Sequence, residues 1–189
     1  MLKIATHDSA TGEQGKGLLS IIGTPFARTQ NKTIKQQYEV GCRMFDIRVK
    51  LCNGVWRCAH GLWKSKRLAI DIIREINSFD EKCYVTLNYE GTSKNKTEFV
   101  EFVEKIKKEF TNIHWGAISV KYGENAHLFK VEYGFVSSAE KGFPAARQGF
   151  LPLNGKTWHI LLPIPYIWKK IYNDTPKFSE TYFTYVDFL

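Results

Sequence analysis

The apolar residues of the chain fall mainly into short runs that are separated by polar turns. Such runs predict strands at about 2–6, 44–51, 55–60, 83–89, 116–122, 128–136, 157–162 and 181–188. Two longer stretches repeat apolar residues at helical spacing and predict helices at 66–78 and 97–110, and further helices are expected at 33–41 and 166–172. This alternation favours an α/β fold with a largely parallel sheet.

The length and composition favour a single domain spanning 1–189. The chain is 43% hydrophobic and shows neither a repeat nor a linker, so it can bury one core. A complete eight-stranded barrel usually needs about 200 residues or more, so a barrel here would be compact, distorted or incomplete. The sequence has no apolar run of a membrane-spanning helix, and residues 1–5 are too short for a signal peptide. The localisation therefore stays open.

The charge balance favours an anionic partner. With 27 basic and 19 acidic residues the net charge is +8, which suits nucleic acid, an anionic membrane or a phosphorylated molecule. The basic residues are scattered without a recognition motif, so nucleic acid is the weakest of these. The four cysteines lack Cys-x-x-Cys spacing, which disfavours a zinc site and favours buried thiols.

Polar residues that can do chemistry lie at the ends of several predicted strands, where α/β barrels carry their working groups. These residues are His7, Asp8, Asp46, Arg48, His60 and Asp187. Taken singly, each has an ordinary explanation: a surface histidine, a structural ion pair or a solvated chain end. Their combination, two histidines and three carboxylates around one arginine, is what favours an active site.

The turn near residue 53 decides whether His60 can join that site. Asp46 and Arg48 are two apart and share one face of a strand. A two-residue Asn53-Gly54 turn would place His60 opposite Ile47, on the other face. A three-residue turn would pair Leu51 with Val55 and place His60 on the arginine face. We expect the three-residue turn because it brings the polar groups together.

At these residues the sequence resembles the bacterial, metal-independent branch of the phosphatidylinositol-specific phospholipase C family. The resemblance lies in 5–11 (ATHDSAT), 29–30 (TQ), 34–49 (IKQQYEVGCRMFDIRV) and 60–61 (HG), and continues more weakly at 84–90 and 185–188. It implies a TIM-type barrel and cleavage of phosphatidylinositol, or a glycosylated derivative, to diacylglycerol and inositol 1,2-cyclic phosphate.

The resemblance also implies a role for each site residue. His7 would be the general base on the inositol 2-hydroxyl, oriented by Asp187. His60 would be the general acid that protonates the glycerol oxygen, assisted by Asp8. Histidine suits both tasks because its pKa lies near neutrality.

Arg48 would stabilise the charge on the phosphoryl oxygens, with Asp46 orienting its neighbours. Calcium-dependent relatives carry Glu-x-Asp at this strand, whereas this chain carries Asp46-Ile47-Arg48. A guanidinium there would repel calcium, so we expect no metal and no other cofactor. Lys121 is a candidate contact to the substrate, as are Arg147 and Lys156.

The expected partner is a phosphatidylinositol-type lipid at a membrane surface, bound by a monomer. Trp63 and Lys64 follow the proposed general acid directly and would dock on the bilayer. Alternatively, Trp63 packs on the barrel.

Two other functions compete with this one. A glycerophosphodiesterase would need Glu-x-Asp ligands and a His-Arg pair near the first strand, both missing. A catalytically impaired barrel that binds anionic lipid would have no use for two histidines in one cleft.

Overall fold

In the computed structural model the described residues, 3–91, 95–120, 150–153, 156–159, 184–186 and 189, form a mixed α/β fold. In chain order the elements are β1 (Ile4–Thr6), a 3-10 turn (Ser9–Gly12), α1 (Gly17–Ala27), α2 (Ile34–Glu39), β2 (Cys42–Cys52), β3 (Val55–His60), β4 (Trp63–Leu68), α3 (Ala69–Asn77), β5 (Cys83–Tyr89), α4 (Lys96–Glu109), β6 (Ile113–Val120), β7 (Phe150–Leu153), β8 (Lys156–His159) and β9 (Thr184–Val186).

The main sheet is largely parallel, as the sequence predicts. Five strands lie side by side in the order β9, β1, β2, β5, β6, each parallel to its neighbours. An antiparallel hairpin of β3 and β4 branches from β2, and β7 pairs with β8 in a separate ribbon. Among the described residues the main sheet is open, because β6 and β9 do not pair. The α/β class is therefore confirmed, and closure into a barrel is not shown.

The predicted helices that lie in the described residues bury the faces that their spacing indicates. Helix α3 buries Ala69, Ile72, Ile73 and Ile76, and α4 buries Phe99, Phe102, Val103 and Ile106. Burying one such large side chain contributes about 1.5–3 kcal/mol. Helix α2 begins at a capping box formed by Thr33 and Gln36, which satisfies two free backbone N–H groups.

Four elements, α3, β4, α1 and β7, differ from the predictions. The helix expected at 66–78 begins only at Ala69, because the preceding residues form β4 against β3. Helix α1 and strand β7 were not predicted. The strand expected at 128–136 and the helix expected at 166–172 lie outside the described residues.

The β2–β3 turn has two residues, so the expected three-residue turn is wrong. Cys52 pairs with Val55, and Asn53 and Gly54 both have positive φ, 52° and 77°. This is the geometry that favours Asn-Gly in two-residue hairpins. The site is nevertheless formed, since the β2–β3 pairing ends at Val49–Cys58 and the register of the β3–β4 pairing shifts between Arg57 and Ala59. Strand alternation therefore no longer fixes the side on which His60 lies.

The four cysteines are free thiols. Burial raises the pKa of Cys42 to about 11 and the pKa values of Cys58 and Cys83 to about 12, whereas Cys52 is only half-buried.

Of the helices in the described ranges, none combines the length and the apolar character needed to cross a bilayer.

Candidate active site

The candidate site lies at the carboxyl ends of three neighbouring parallel strands. Thr6 pairs with Phe45, so His7 and Asp8 follow β1 beside the Asp46-Arg48 segment of β2. Arg48 in turn pairs with Asn88 of β5. Because parallel strands end at the same edge of a sheet, residues that are distant in sequence meet here.

The Arg48 guanidinium lies at the centre of the site. Its Nη2 is 2.7 Å from His7 Nε2, and its Nη1 is 3.3 Å from both His60 Nδ1 and Glu90 Oε1. Nη2 also lies 3.2 Å from Asp46 Oδ2, and Nε forms an ion pair with Asp8. One guanidinium thus contacts two imidazoles and three carboxylates, which fixes the plane of its donors.

Buried hydrogen bonds orient Asp46. Its Oδ1 accepts from Asn88 Nδ2 at 2.7 Å and from Thr86 Oγ1 at 3.4 Å, and its Oδ2 accepts from the Asp8 backbone N–H at 3.2 Å. The Asp46 backbone N–H donates to Ser9 Oγ at 2.8 Å. Asp46 therefore connects β2 with β5 and with the residues that follow β1.

The segment at 29–30 holds the backbone of His7. Thr29 Oγ1 and Gln30 Nε2 donate to the His7 carbonyl oxygen at 2.8 and 3.1 Å. Asp8 follows with a φ of 44°, a left-handed conformation that aspartate adopts more readily than most residues. This sharp turn directs both side chains towards Arg48.

Asp8 is the most deeply buried charge of the site, with 1% of its side chain exposed. Its Oδ2 lies 3.3 Å from His7 Nε2 and 3.2 Å from His60 Nδ1. Burial raises the pKa of Asp8, but Arg48 and the two histidines outweigh this and hold its pKa well below the usual range. Asp8 is therefore a carboxylate at neutral pH.

The two histidines have different surroundings. Burial lowers the pKa of His60, but the Asp8 carboxylate, aided by Glu90, outweighs burial and raises this pKa, which favours the protonated form. A guanidinium only donates hydrogen bonds, so Arg48 Nη2 donates to His7 Nε2 in the tautomer that carries a lone pair on that nitrogen. In that tautomer His7 could accept a proton as a general base, and a protonated His60 could donate one as a general acid.

The structure brings together five of the six predicted catalytic residues, namely His7, Asp8, Asp46, Arg48 and His60. Asp187, Lys121 and Arg147 lie outside the described residues, and Lys156 begins β8.

Glu90 and Asn88 were missed as site residues. Both lie in a stretch where Thr86, Asn88 and Glu90 alternate with apolar residues, and this polar face in an otherwise apolar strand is the signal that could have identified them.

The expectation that Trp63 docks on a membrane is contradicted by its burial. Only 2% of Trp63 is exposed, and it packs in the hydrophobic core, as the alternative explanation had it. Lys64 is half-buried, and its role at a membrane stays a prediction.

Three residues of the candidate site could also ligate a cation. Atoms of His7, Asp8 and Asp46 lie within 4.8 Å of one another. The Arg48 guanidinium, however, contacts all three side chains. A divalent ion in this position would have to displace a buried, ion-paired guanidinium, which is unfavourable.

Solved structures of bacterial phosphatidylinositol-specific phospholipases C have a similar fold. A point mutant of the Staphylococcus aureus enzyme matches with a TM-score of 0.59 and 13% identity, over 98% of this chain and 84% of that chain. The Listeria monocytogenes enzyme matches with a TM-score of 0.55 and 15% identity, over 99% and 88%. No family model and no curated protein matches the sequence. At this identity, the likeness shows a shared fold.

Proposed function

We propose that this protein is a phosphodiesterase that cleaves phosphatidylinositol, or a glycosylated derivative, into diacylglycerol and inositol 1,2-cyclic phosphate without a metal ion. The observation that carries the proposal is the position of Arg48 between two imidazoles, 2.7 Å from His7 Nε2 and 3.3 Å from His60 Nδ1. A phosphate held by this guanidinium has a candidate base and a candidate acid beside it.

The first step forms the cyclic phosphate. His7 Nε2 takes the proton of the inositol 2-hydroxyl, and that oxygen attacks the neighbouring phosphorus. The bond between phosphorus and the glycerol oxygen breaks, and His60 gives its proton to the departing oxygen. The Asp8 contact engages His60 Nδ1 at 3.2 Å, so Nε2 is the nitrogen that donates. Asp187 is proposed to orient His7, and Lys121 to contact the inositol phosphate.

Arg48 provides the electrostatic part of the catalysis. In the transition state the charge on the phosphoryl oxygens grows, and a fixed guanidinium in a water-poor site stabilises this charge more than the ground state. Asp46 holds the guanidinium through contacts of 3.2 and 3.3 Å. Glu90 is proposed to act as a second positioning residue, because it contacts Arg48 and lies 4.0 Å from His60 Nδ1.

The proposal includes closure of the sheet into a compact barrel. Its support is the parallel pairing of β9 with β1, which places a strand from the end of the chain beside the first strand. Strands of a (β/α) barrel meet in this way.

Release of water-soluble inositol phosphate from phosphatidylinositol vesicles, with and without a chelator, tests this function. The expected result is equal release in both conditions and none from phosphatidylcholine vesicles. Calcium-dependent release would overturn the metal-free mechanism. Absence of release from well-folded protein that still binds the vesicles would instead favour a catalytically impaired lipid-binding protein.

A further inference from the structure

Gln30 is fully buried and connects two segments that are distant in sequence. Its Nε2 donates to the His7 carbonyl oxygen at 3.1 Å, and its Oε1 accepts from the Leu189 backbone N–H at 3.2 Å. An amide suits this position because it offers a donor and an acceptor on one short side chain. One side chain therefore ties the candidate base to residue 189.

Buried hydroxyl groups hold Gln30 and its neighbours in place. Thr11 Oγ1 accepts from the backbone N–H groups of Thr29 and Gln30 at 3.1 and 3.2 Å. The same hydroxyl donates to the Asp8 carbonyl oxygen at 2.8 Å, and Thr29 Oγ1 donates to the His7 carbonyl oxygen at 2.8 Å. We use the term backbone clamp for Thr11, Thr29 and Gln30, which are at most 4% exposed.

The backbone clamp acts on the turn that directs the His7 and Asp8 side chains towards Arg48. Asp8 has a φ of 44° and a ψ of 50°, a left-handed conformation that residues other than glycine adopt rarely. Such a conformation persists only where its surroundings hold it. The clamp provides this support, because it donates hydrogen bonds to the carbonyl oxygens of both residues.

Hydrogen bonds also attach the chain before and after Asp187 to the N-terminal part of the protein. Before it, Val186 of β9 pairs with Thr6 of β1. After it, the Leu189 N–H donates to Gln30. The first attachment belongs to the main sheet, whereas the second depends on one side chain. Gln30 is therefore placed to fix the chain after Asp187 relative to β1.

We propose that Gln30 is a positioning residue that aligns His7 with the segment carrying Asp187 for proton transfer. This inference rests on the proposed function, in which His7 is the base and Asp187 orients it. Gln30 acts through the His7 backbone, whereas the phosphate is assigned to Arg48. Loss of the Gln30 amide should therefore lower kcat and leave KM nearly unchanged.

Gln30→Met removes both hydrogen bonds of the side chain but keeps its length. On a water-soluble inositol phosphodiester its kcat should fall by about 10–100-fold, since a misplacement of about 1 Å can cost that much. Its KM should change by less than about twofold. The double variant Gln30→Met/Asp187→Asn should be no slower than Asp187→Asn alone, because both changes disturb the same alignment.

Gln30→Glu is a second variant that keeps the size and polarity of the site. Its protonated carboxyl group again offers a donor and an acceptor, and burial favours this protonated form. At about pH 5 its kcat should lie within about fivefold of the wild-type value at the same pH. A larger loss in folded protein would contradict the role of the paired donor and acceptor.

Gln37→Met is the matched control. Gln37 is equally buried, and its Nε2 also donates to two backbone oxygens, those of Ser9 and Lys32, at 2.8 and 2.7 Å. This variant should lower the midpoint of urea unfolding as much as Gln30→Met does, yet keep kcat within about threefold. Equal losses of kcat in the two methionine variants, or independent losses from Gln30→Met and Asp187→Asn, would overturn the proposal.

Nuclear magnetic resonance of the His7 imidazole nitrogens separates this inference from the proposed function. Gln30→Met should shift these resonances beyond their linewidth, and Gln37→Met should not. Wild-type protein that cleaves no inositol phosphodiester would contradict the proposed function, and shifted resonances would still uphold the positioning of His7 by Gln30. Resonances that Gln30→Met leaves unmoved would overturn the positioning role, whatever the activity.

Discussion

Replacing Arg48 with lysine keeps the positive charge of the site but removes its geometry. Arg48 donates from three nitrogens, which contact Asp46, Glu90 and the two imidazoles at 2.7–3.3 Å. An ammonium group donates from a single atom and cannot reach partners on both sides. We expect Arg48→Lys to fold and to lose almost all activity.

The size of each loss follows from these contacts. Loss of one preorganised donor to a developing charge typically lowers kcat by about 10²–10³-fold. The kcat of Arg48→Lys should therefore fall by at least this factor. The remaining charge still compensates the buried carboxylates. The free energy of unfolding should therefore fall by only about 2 kcal/mol, the contribution of one hydrogen bond to a charged group.

Arg43→Lys is the matched control because Arg43 lies on the same strand but binds Glu81 outside the site, at 2.9 and 3.0 Å. Both variants should be assayed on a water-soluble inositol phosphodiester, and their stabilities measured by urea unfolding. Arg43→Lys should keep its activity within about twofold. Activity of Arg48→Lys near that of the control would refute the assignment of Arg48 to the phosphate.

Four further predictions concern the titrating groups. His7→Ala and His60→Ala should each lower turnover by at least about a hundredfold, whereas His114→Ala, which removes a ring stacked on Tyr84, should not; near-normal turnover in either site variant would remove that residue from the mechanism. The profile of kcat/KM against pH should be a bell, and Glu90→Gln should move its alkaline limb to lower pH because Glu90 raises the pKa of His60; an unmoved limb would contradict the role of Glu90. Because the pKa of His60 is raised in the folded state, protonated His60 stabilises the fold. This stabilisation is fully present below the ordinary histidine pKa of 6.5 and is lost as the pH rises through the raised pKa of the folded state. The free energy of unfolding should therefore fall across this pH window less steeply in His60→Gln than in the wild type. Iodoacetamide should alkylate native protein at Cys52 first, because burial raises the pKa values of the other three thiols, and mass spectrometry showing equal labelling would contradict their burial.

Local patterns predicted the parts of the fold that obey the usual rules of burial. The apolar spacing of α4 identifies the face that packs on the sheet. Helix α1 escaped prediction since its buried residues are Ser20, Gly23 and Ala27, and small residues produce no hydrophobic period. Strand β4 escaped because its basic residues run directly into α3 without a turn signal.

The candidate site was predictable where its residues are close in sequence or match a motif. Strand alternation alone places Asp46 and Arg48 on one face. The contact of Glu90 with Arg48 depends on the pairing of β5 with β2, which no local pattern reveals. The hairpin prediction failed for a different reason, because it assumed a regular strand as far as His60. The β2–β3 pairing ends at Cys58, and the register of β3 against β4 shifts between Arg57 and Ala59.

The most direct test of the mechanism is a phosphorus NMR time course of phosphatidylinositol cleavage by wild-type protein in the presence of EDTA. The account predicts that a five-membered cyclic phosphodiester appears first, at a rate that EDTA does not change, and that His7→Ala and His60→Ala do not form it. Direct formation of an acyclic inositol phosphate, or a reaction that EDTA stops and calcium restores, would contradict it.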